Sequence, residues 1–297
     1  MQWPKFSRRT PARNIFLELT KSGIAIFVVL EGLAGYALGL TAENGLAWTH
    51  LLCFALGLYC LSSGSLALNQ AQEAELDARM PRTRARPIPS GRLSKSRALA
   101  ISVFLIGVGL AMLGLLRPLL GLLGLLSVLL YNGLYTYYWK PKWIYAAVPG
   151  ALPGALPVVL GYAATHAQPW TVELLYAFLI VFLWQMPHFW AIALRYREDY
   201  RAAGIPTLPV TRGTDVTLRQ ITLYTLALVA LATLSPLLVT AHWAYLLAVL
   251  PFCTLTLWQL GRYVRSEWQG PWFRFFLCVN TAMLVFIVAP VVDKFWR

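Results

Sequence analysis

The chain has 297 residues, 58% of them hydrophobic and only 12% charged. A soluble domain of this size could not cover so apolar a core, which excludes water as its main solvent. The formal charge of +13 does not point to nucleic acid: the basic residues fall in five short segments, and no extended basic domain is left to grip a duplex.

Apolar stretches long enough to cross a ~30 Å hydrocarbon core recur at residues 23–41, 47–68, 98–116, 118–138, 144–165, 174–194, 220–240, 244–261 and 275–292. They predict an all-α, polytopic membrane protein of about nine transmembrane helices. The expected organisation is a single domain over residues 1–297 around a central cavity opening to the cytoplasmic side. With the N-terminus inside, 22 of the 25 Lys and Arg residues fall on the inner side, and only Arg117, Lys294 and Arg297 fall outside. Positive residues resist translocation, so a cytoplasmic N-terminus and a C-terminus on the outer side are expected. The same charge would draw the inner face to anionic membrane lipid.

Residues 1–21 form a basic cytoplasmic segment. The span after it is too long for the apolar core of a cleavable signal, so a permanent anchor is expected. Span one carries Glu31, and an acid within the bilayer is costly unless it is protonated or faces a polar cavity. Two readings stay open: a residue lining the interior, or a structural hydrogen bond to another helix. Cys53, Cys60, Cys253 and Cys278 all lie within spans and make no CxxC or Cys/His metal spacing, which predicts packing residues.

Function is expected on the two long inner loops, residues 69–97 and 195–219. If span two stays helical to Asp77, then Asn69, Glu73 and Asp77 recur at i, i+4 and i+8 on one face. Carboxylates aimed together need a cation between them, and such oxygen donors suit Mg²⁺ bridging to phosphate. The alternative is a solvated helix end whose acids pair with Arg79 and Arg82. Arg82, Arg84, Arg86 and Arg92 follow in a loop stiffened by Pro81, Pro87 and Pro89. Guanidinium forks match phosphate, so the arrangement reads as a diphosphate cradle, although positive-inside bias alone also places arginines here.

Lys140 closes the run Tyr135-Thr136-Tyr137-Tyr138-Trp139-Lys140, where snorkelling to the headgroups is the simpler explanation. In span six, Trp184-Gln185-Met186-Pro187-His188-Phe189-Trp190 leads to Arg195 and Asp199. At 100° per residue His188, Arg195 and Asp199 form one stripe, and Pro187 frees a backbone carbonyl near the cavity. His188 is either a packed, hydrogen-bonded residue or a ligand.

These stretches resemble the UbiA-type intramembrane prenyltransferase superfamily, and in detail its protoheme IX farnesyltransferase (haem O synthase) branch. The likeness rests on Asp77-Ala78-Arg79-Met80-Pro81-Arg82-Thr83-Arg84-Ala85-Arg86-Pro87. It rests also on Trp184 to Phe189 with Asp199-Tyr200 and Ala203-Gly204-Ile205-Pro206, and on Tyr135-Thr136 to Lys140 with Pro149-Gly150-Ala151 to Pro157. The first motif of the superfamily is usually Asn-Asp-x-x-Asp-x-x-x-Asp; here Gln70 and Glu73 replace its first two aspartates. Arg195 stands where many relatives have another Asp.

The resemblance implies Asn69, Glu73, Asp77 and Asp199 as catalytic residues, with Glu73, Asp77 and Asp199 holding Mg²⁺. It implies Arg82, Arg84, Arg86, Lys140 and Arg195 on the diphosphate, and His188, Trp184 and Glu31 around the acceptor. The implied reaction is farnesyl transfer from farnesyl diphosphate to the vinyl group of haem b, with water added, in a bacterial inner membrane. Handover to a haem-modifying or oxidase-assembly partner is left open. Another ring acceptor, such as a quinone precursor, is an alternative within the superfamily. A transporter with Glu31 on its path is an alternative outside it, disfavoured because the polar residues gather at one face rather than near the midplane.

Overall fold

The computed structural model describes residues 14–41, 45–168, 170–237, 242–266, 270 and 272–295. Lys5, Arg8, Arg9, Arg13 and Arg297 of the charge count, and the last three residues of the expected span 220–240, lie outside them. A short α1 (Ile15–Leu19) precedes α2 (Ser22–Gly39), and α3 (Trp48–Gln72) is followed by a short α4 (Ala74–Arg79). Next, α5 (Lys95–Leu116) leads to α6 (Pro118–Val128), which runs on as a π-helix over Leu129–Trp139 and ends in α7 (Lys140–Lys142). The chain continues through α8 (Ala147–Thr165), α9 (Val172–Arg195), α10 (Arg197–Ala202), α11 (Leu208–Leu234), α12 (Trp243–Arg265) and α13 (Trp272–Phe295). Among the described residues, nine helices are long and apolar enough to cross a membrane.

The seventh of these starts at Leu208, well before the expected residue 220. Pro209 is tolerated in a first helical turn, and Gly213 at φ 82° breaks the helix, so a short polar piece precedes the span proper. The stretches expected as loops are partly helical too: residues 69–72 belong to α3, and α10 lies within 195–219.

The outer surface of the bundle is apolar. Leu115 is 89% exposed and Phe104 68%, a surface that would aggregate in water and suits acyl chains. Trp48, Trp170 and Trp243 are exposed at or just before the starts of α3, α9 and α12, all at the end away from the long inner segments, as interfacial aromatics are. Cys253 and Cys278 are buried, but Cys53 is exposed and packs on nothing inside; a small thiol is apolar enough to face lipid.

Inside, Ala155, Val158 and Tyr162 of α8 pack with Ile180, Val181 and Trp184 of α9 and Val279, Met283 and Phe286 of α13. A second cluster joins Tyr36, Phe54, Leu58, Leu113 and Leu160 across α2, α3, α5 and α8. In lipid, helices associate through close approach of small residues. A side chain on Gly161 would meet the Gly32 carbonyl, and one on Gly35 the Val158 carbonyl. Arg117 donates to Ala163 O (2.5 Å) and His166 O (3.0 Å), and Lys294 to Leu38 O (2.7 Å) and Leu40 O (2.5 Å). Both cap the C-terminal carbonyls of α8 and α2, which gives these two exceptions to the charge bias a local cause.

Candidate active site at the polar end of the bundle

The helix carrying the first motif does not run unbroken to Asp77. Glu73 has φ −96° and ψ 10°, so α3 ends and α4 restarts. Even so, Glu73 N donates to Asn69 O at 2.9 Å and Asp77 N to Glu73 O at 2.8 Å, which preserves the four-residue register. Asn69, Glu73 and Asp77 are all buried, and the solvated helix end is thereby ruled out. The acids pair with Lys140 and Arg86 rather than with Arg79 and Arg82.

Lys140 Nζ lies 2.5 Å from Glu73 Oε1. It does not snorkel, because a buried carboxylate is within its reach and the π-helix carries it there. Asn132, Thr136 and Lys140, four apart, all reach α3. Asn132 accepts from Ser65 (2.5 Å) and donates to Gln72 (3.2 Å), and Thr136 accepts from Asn69 (3.2 Å). Long π-helical runs are rare and recur at functional sites. Arg86 Nη1 bonds both oxygens of Asp77, at 2.8 and 2.6 Å. Burial alone would raise the Glu73 carboxyl, but the charge and hydrogen bond of Lys140, helped by Lys21 and Asn69, hold it below its ordinary value.

Gln70 has left the acid set. Its Nε2 donates to Glu18 O and Leu19 O, both at 2.7 Å, fastening α1 to α3. Lys21, two residues on, is half-buried. Its amine is pulled down to about 7, first by burial and then by repulsion from Arg86, against the attraction of Glu73.

The second polar segment meets the first. Met80 is buried with Ala203 and Ile205, with Leu76 and Tyr200 packed around them. The guanidinium of Arg82 lies 4.7 Å from the ring centre of Tyr196 and 5.9 Å from that of Tyr200, with Nε 4.0 Å from Asp199. Tyr196, at φ −113° and ψ 32°, breaks the helix between Arg195 and Asp199. The stripe expected for His188, Arg195 and Asp199 therefore does not lie on one unbroken helix, although Tyr196 N donates to Ile192 O at 3.0 Å and Tyr200 N to Tyr196 O at 3.1 Å across the break. Arg84 and Arg195 are exposed, and neither makes an ion pair with a described acid.

His188 lies deeper. Its Nδ1 is 2.7 Å from Asn280 Oδ1, while Asn280 Nδ2 donates to Phe276 O at 2.6 Å. With the amide oriented by that second bond, Oδ1 is the acceptor, His188 carries its proton on Nδ1, and Nε2 keeps a lone pair. The ring sits 4.8 Å from both Trp184 and Phe276. Trp184 Nε1 is buried without a hydrogen-bond partner, and its ring packs on Phe27, one turn before Glu31. Glu31 is 2% exposed and makes no hydrogen bond to a described residue, which favours the reading that it lines the interior.

Among the described residues no three His, Cys, Asp or Glu side chains are close enough to hold a metal by themselves. Mg²⁺ does not need such a cage: one or two carboxylates, waters and substrate phosphates suffice. The buried oxygens of Asn69, Glu73 and Asp77, with Asp199 across the Arg82 bridge, fit that pattern. Sequence reasoning misses Lys21, Asn132 and Asn280. The polar spacing of four from Asn132 to Lys140 in an apolar span is the signal that finds the second.

The UbiA prenyltransferase family pattern matches residues 28–286. The chain is 51% identical to protoheme IX farnesyltransferase of Bdellovibrio bacteriovorus over 95% of its own length and 96% of that protein. It is 36% identical to the protein of the same name from Flavobacterium johnsoniae over 96% and 97%. Among solved structures it is similar to a UbiA homologue from Aeropyrum pernix K1, with a TM-score of 0.75 at 16% identity over 92% of this chain and 98% of that one. It is also similar to one from Archaeoglobus fulgidus bound to DMAPP and Mg²⁺, with a TM-score of 0.67 at 16% identity over 93% and 99%. With nine apolar helices among the described residues, the matched pattern and relatives aligned along nearly the full length, the chain belongs to the UbiA prenyltransferase family.

Proposed function

We infer that this protein transfers the farnesyl group of farnesyl diphosphate to the vinyl group of haem b, with addition of water, to give haem O. The observation that carries the reading is the convergence of Asn69, Glu73–Lys140, Asp77–Arg86 and Arg82–Asp199 on one end of an otherwise apolar bundle. The acceptor follows the relatives, which carry the name protoheme IX farnesyltransferase. On the charge bias we place this end at the cytoplasmic face of a bacterial inner membrane.

The allylic carbon–oxygen bond breaks and its electron pair leaves with the diphosphate. The farnesyl carbon then bonds the terminal vinyl carbon, a water oxygen bonds the neighbouring carbon, and the water releases a proton. Lys140 and Arg86 stand ready to follow the charge, since each is already aligned on a buried carboxylate and can share its donors with phosphate oxygens. Arg82, stacked on two tyrosines, is held for the same purpose, and Arg84 and Arg195 are near enough in sequence to join from the rim. Mg²⁺ held by Glu73, Asp77 and Asp199 would neutralise charge developing on the leaving group.

The greasy chain is stored between helices, and the acceptor ring lies near His188, Trp184 and Glu31. Trp184 Nε1, buried without a partner, and the buried Glu31 beside it favour a polar ligand over lipid. A product so apolar leaves within the membrane, where a haem-modifying or oxidase-assembly partner would receive it. Incubation of the purified protein with haem b, farnesyl diphosphate and Mg²⁺ should give a porphyrin heavier by one farnesyl and one hydroxyl group. Unmodified haem alongside a prenylated quinone precursor, when both acceptors are supplied, would overturn the choice of acceptor.

A further inference from the structure

We propose that the facing ends of α12 and α13 form a binding site for the headgroup of one anionic phospholipid. Arg262, Arg265, Ser266, Gly270, Phe273 and Arg274 line an open cavity of about 670 Å³ there. It lies at the polar end of the bundle, because the neighbouring Trp272 donates to Ala191 O at 2.9 Å, close to the C-terminal end of α9. On the orientation proposed above, this end meets the cytoplasmic leaflet. None of the lining residues belongs to the ion pairs of the candidate active site.

Three guanidinium groups round one cavity repel one another unless an anion lies among them. None of the three makes an ion pair with a described acid. Glu267, the one acid in the chain from Arg262 to Arg274, lies outside the described residues and leaves that stretch with a net charge of +2. The Ser266 hydroxyl already donates to Tyr263 O at 3.1 Å, so the donors are the guanidinium forks, whose shape fits phosphate. Phe273 and Arg274 belong to the first turn of α13, which adds the positive end of a helix dipole.

The surroundings separate a phospholipid from a soluble phosphate. Arg262 lies 5.1 Å from the ring centre of Trp258, one turn deeper in the membrane and exposed. Phe273 is exposed as well, and so is Leu277, one turn deeper on the same face. An apolar wall therefore runs from the rim of the cavity down the outside of the bundle, the direction acyl chains take from a headgroup. A soluble phosphate would use the arginines alone; an anionic phospholipid uses both parts, and a zwitterionic one brings a cation to the three already there. Positive-inside bias accounts for basic residues on this side, but not for their gathering from two helices round one cavity above an apolar wall. Anionic headgroups bind in basic pockets of this kind. A lipid held here ties α12 to α13, the helix that sets Phe276 and Asn280 against His188.

Native mass spectrometry of the purified full-length protein, in detergent with equal amounts of phosphatidylglycerol and phosphatidylcholine, tests the site. One phosphatidylglycerol should be retained about tenfold over phosphatidylcholine, equivalent to about 1.4 kcal/mol. Arg262→Gln with Arg274→Gln should bring that preference below about twofold. Lys95→Gln with Arg97→Gln removes the same charge from the exposed start of α5 and should leave the preference unchanged. Equal loss in both double variants would make the attraction diffuse and overturn the site. Equal retention of the two lipids by the parent overturns it too, whether or not the variants fold. Inorganic phosphate or farnesyl diphosphate, each added at the concentration of the lipid, should fail to displace it. Displacement by either would assign the cavity to a soluble phosphate or to the substrate and overturn the proposal.

Discussion

Exchange of Lys140 for methionine and of Glu73 for glutamine, singly and together, tests whether matched buried charges hold the polar end. The two side chains meet at 2.5 Å and are 20% and 7% exposed. At an effective dielectric of ~20 their attraction is about 7 kcal/mol, opposed by the desolvation of both ions. Either single change strands the other charge and should destabilise by about 3–5 kcal/mol. The double change leaves two neutral side chains of similar size and should lie within about 1 kcal/mol of the parent. Thermal or denaturant unfolding of the four proteins in lipid nanodiscs reads these values, with an expected coupling of at least about 5 kcal/mol. Additive single effects, to within about 0.5 kcal/mol, would refute the pairing. Turnover then separates structure from chemistry: the stable double variant should stay inactive, and near-parental activity would make the pair structural alone.

The same pair has a pH signature. The folded Glu73 carboxyl lies below its ordinary value, so its stabilisation is complete above the unfolded value of ~4.3 and is lost as pH falls through the folded one. Unfolding measured against pH should show this acid-side loss in the parent and not in Glu73→Gln. Arg82→Lys keeps the charge but loses the stacking on Tyr196 and Tyr200, worth about 0.5–1 kcal/mol, and should raise the KM for farnesyl diphosphate more than Arg84→Lys does; equal effects would deny Arg82 its special place. Asn280→Leu removes the acceptor that fixes the His188 tautomer and should weaken haem binding about tenfold in a Soret titration, whereas an unaltered titration would detach His188 from the acceptor. Gly161→Val should destabilise by about 3 kcal/mol or block insertion, because it drives a side chain into the Gly32 carbonyl. Gly107→Ala, with open space around it, should be close to neutral.

The spans were legible because bilayer thickness dictates a length of apolar helix, and little else in the sequence competes with that signal. The first motif was legible through the spacing of Asn69, Glu73 and Asp77, since a break at Glu73 leaves the register intact. The partners of those acids were not. Glu73 and Lys140 are 67 residues apart in the chain, and only the packing of the π-helix on α3 decides that Lys140 turns inward rather than to the headgroups. The start of α11 was hidden because Arg212, Asp215 and Arg219 make a polar helix that reads like a loop. Lys21 was hidden for a different reason: its placement depends on Gln70 reaching back 51 residues to Leu19, and the residue itself looks like any lysine at the foot of a span. His188 similarly takes its orientation from Asn280, 92 residues away.

The most direct test is an experimental structure of the protein with Mg²⁺ and farnesyl thiolodiphosphate, a slowly ionising analogue. Density for the diphosphate among Glu73, Asp77, Lys140, Arg86 and Asp199, with the isoprenoid running between the helices toward His188, is the expected result. A diphosphate bound elsewhere, or one touching neither the first nor the second polar segment, would contradict it.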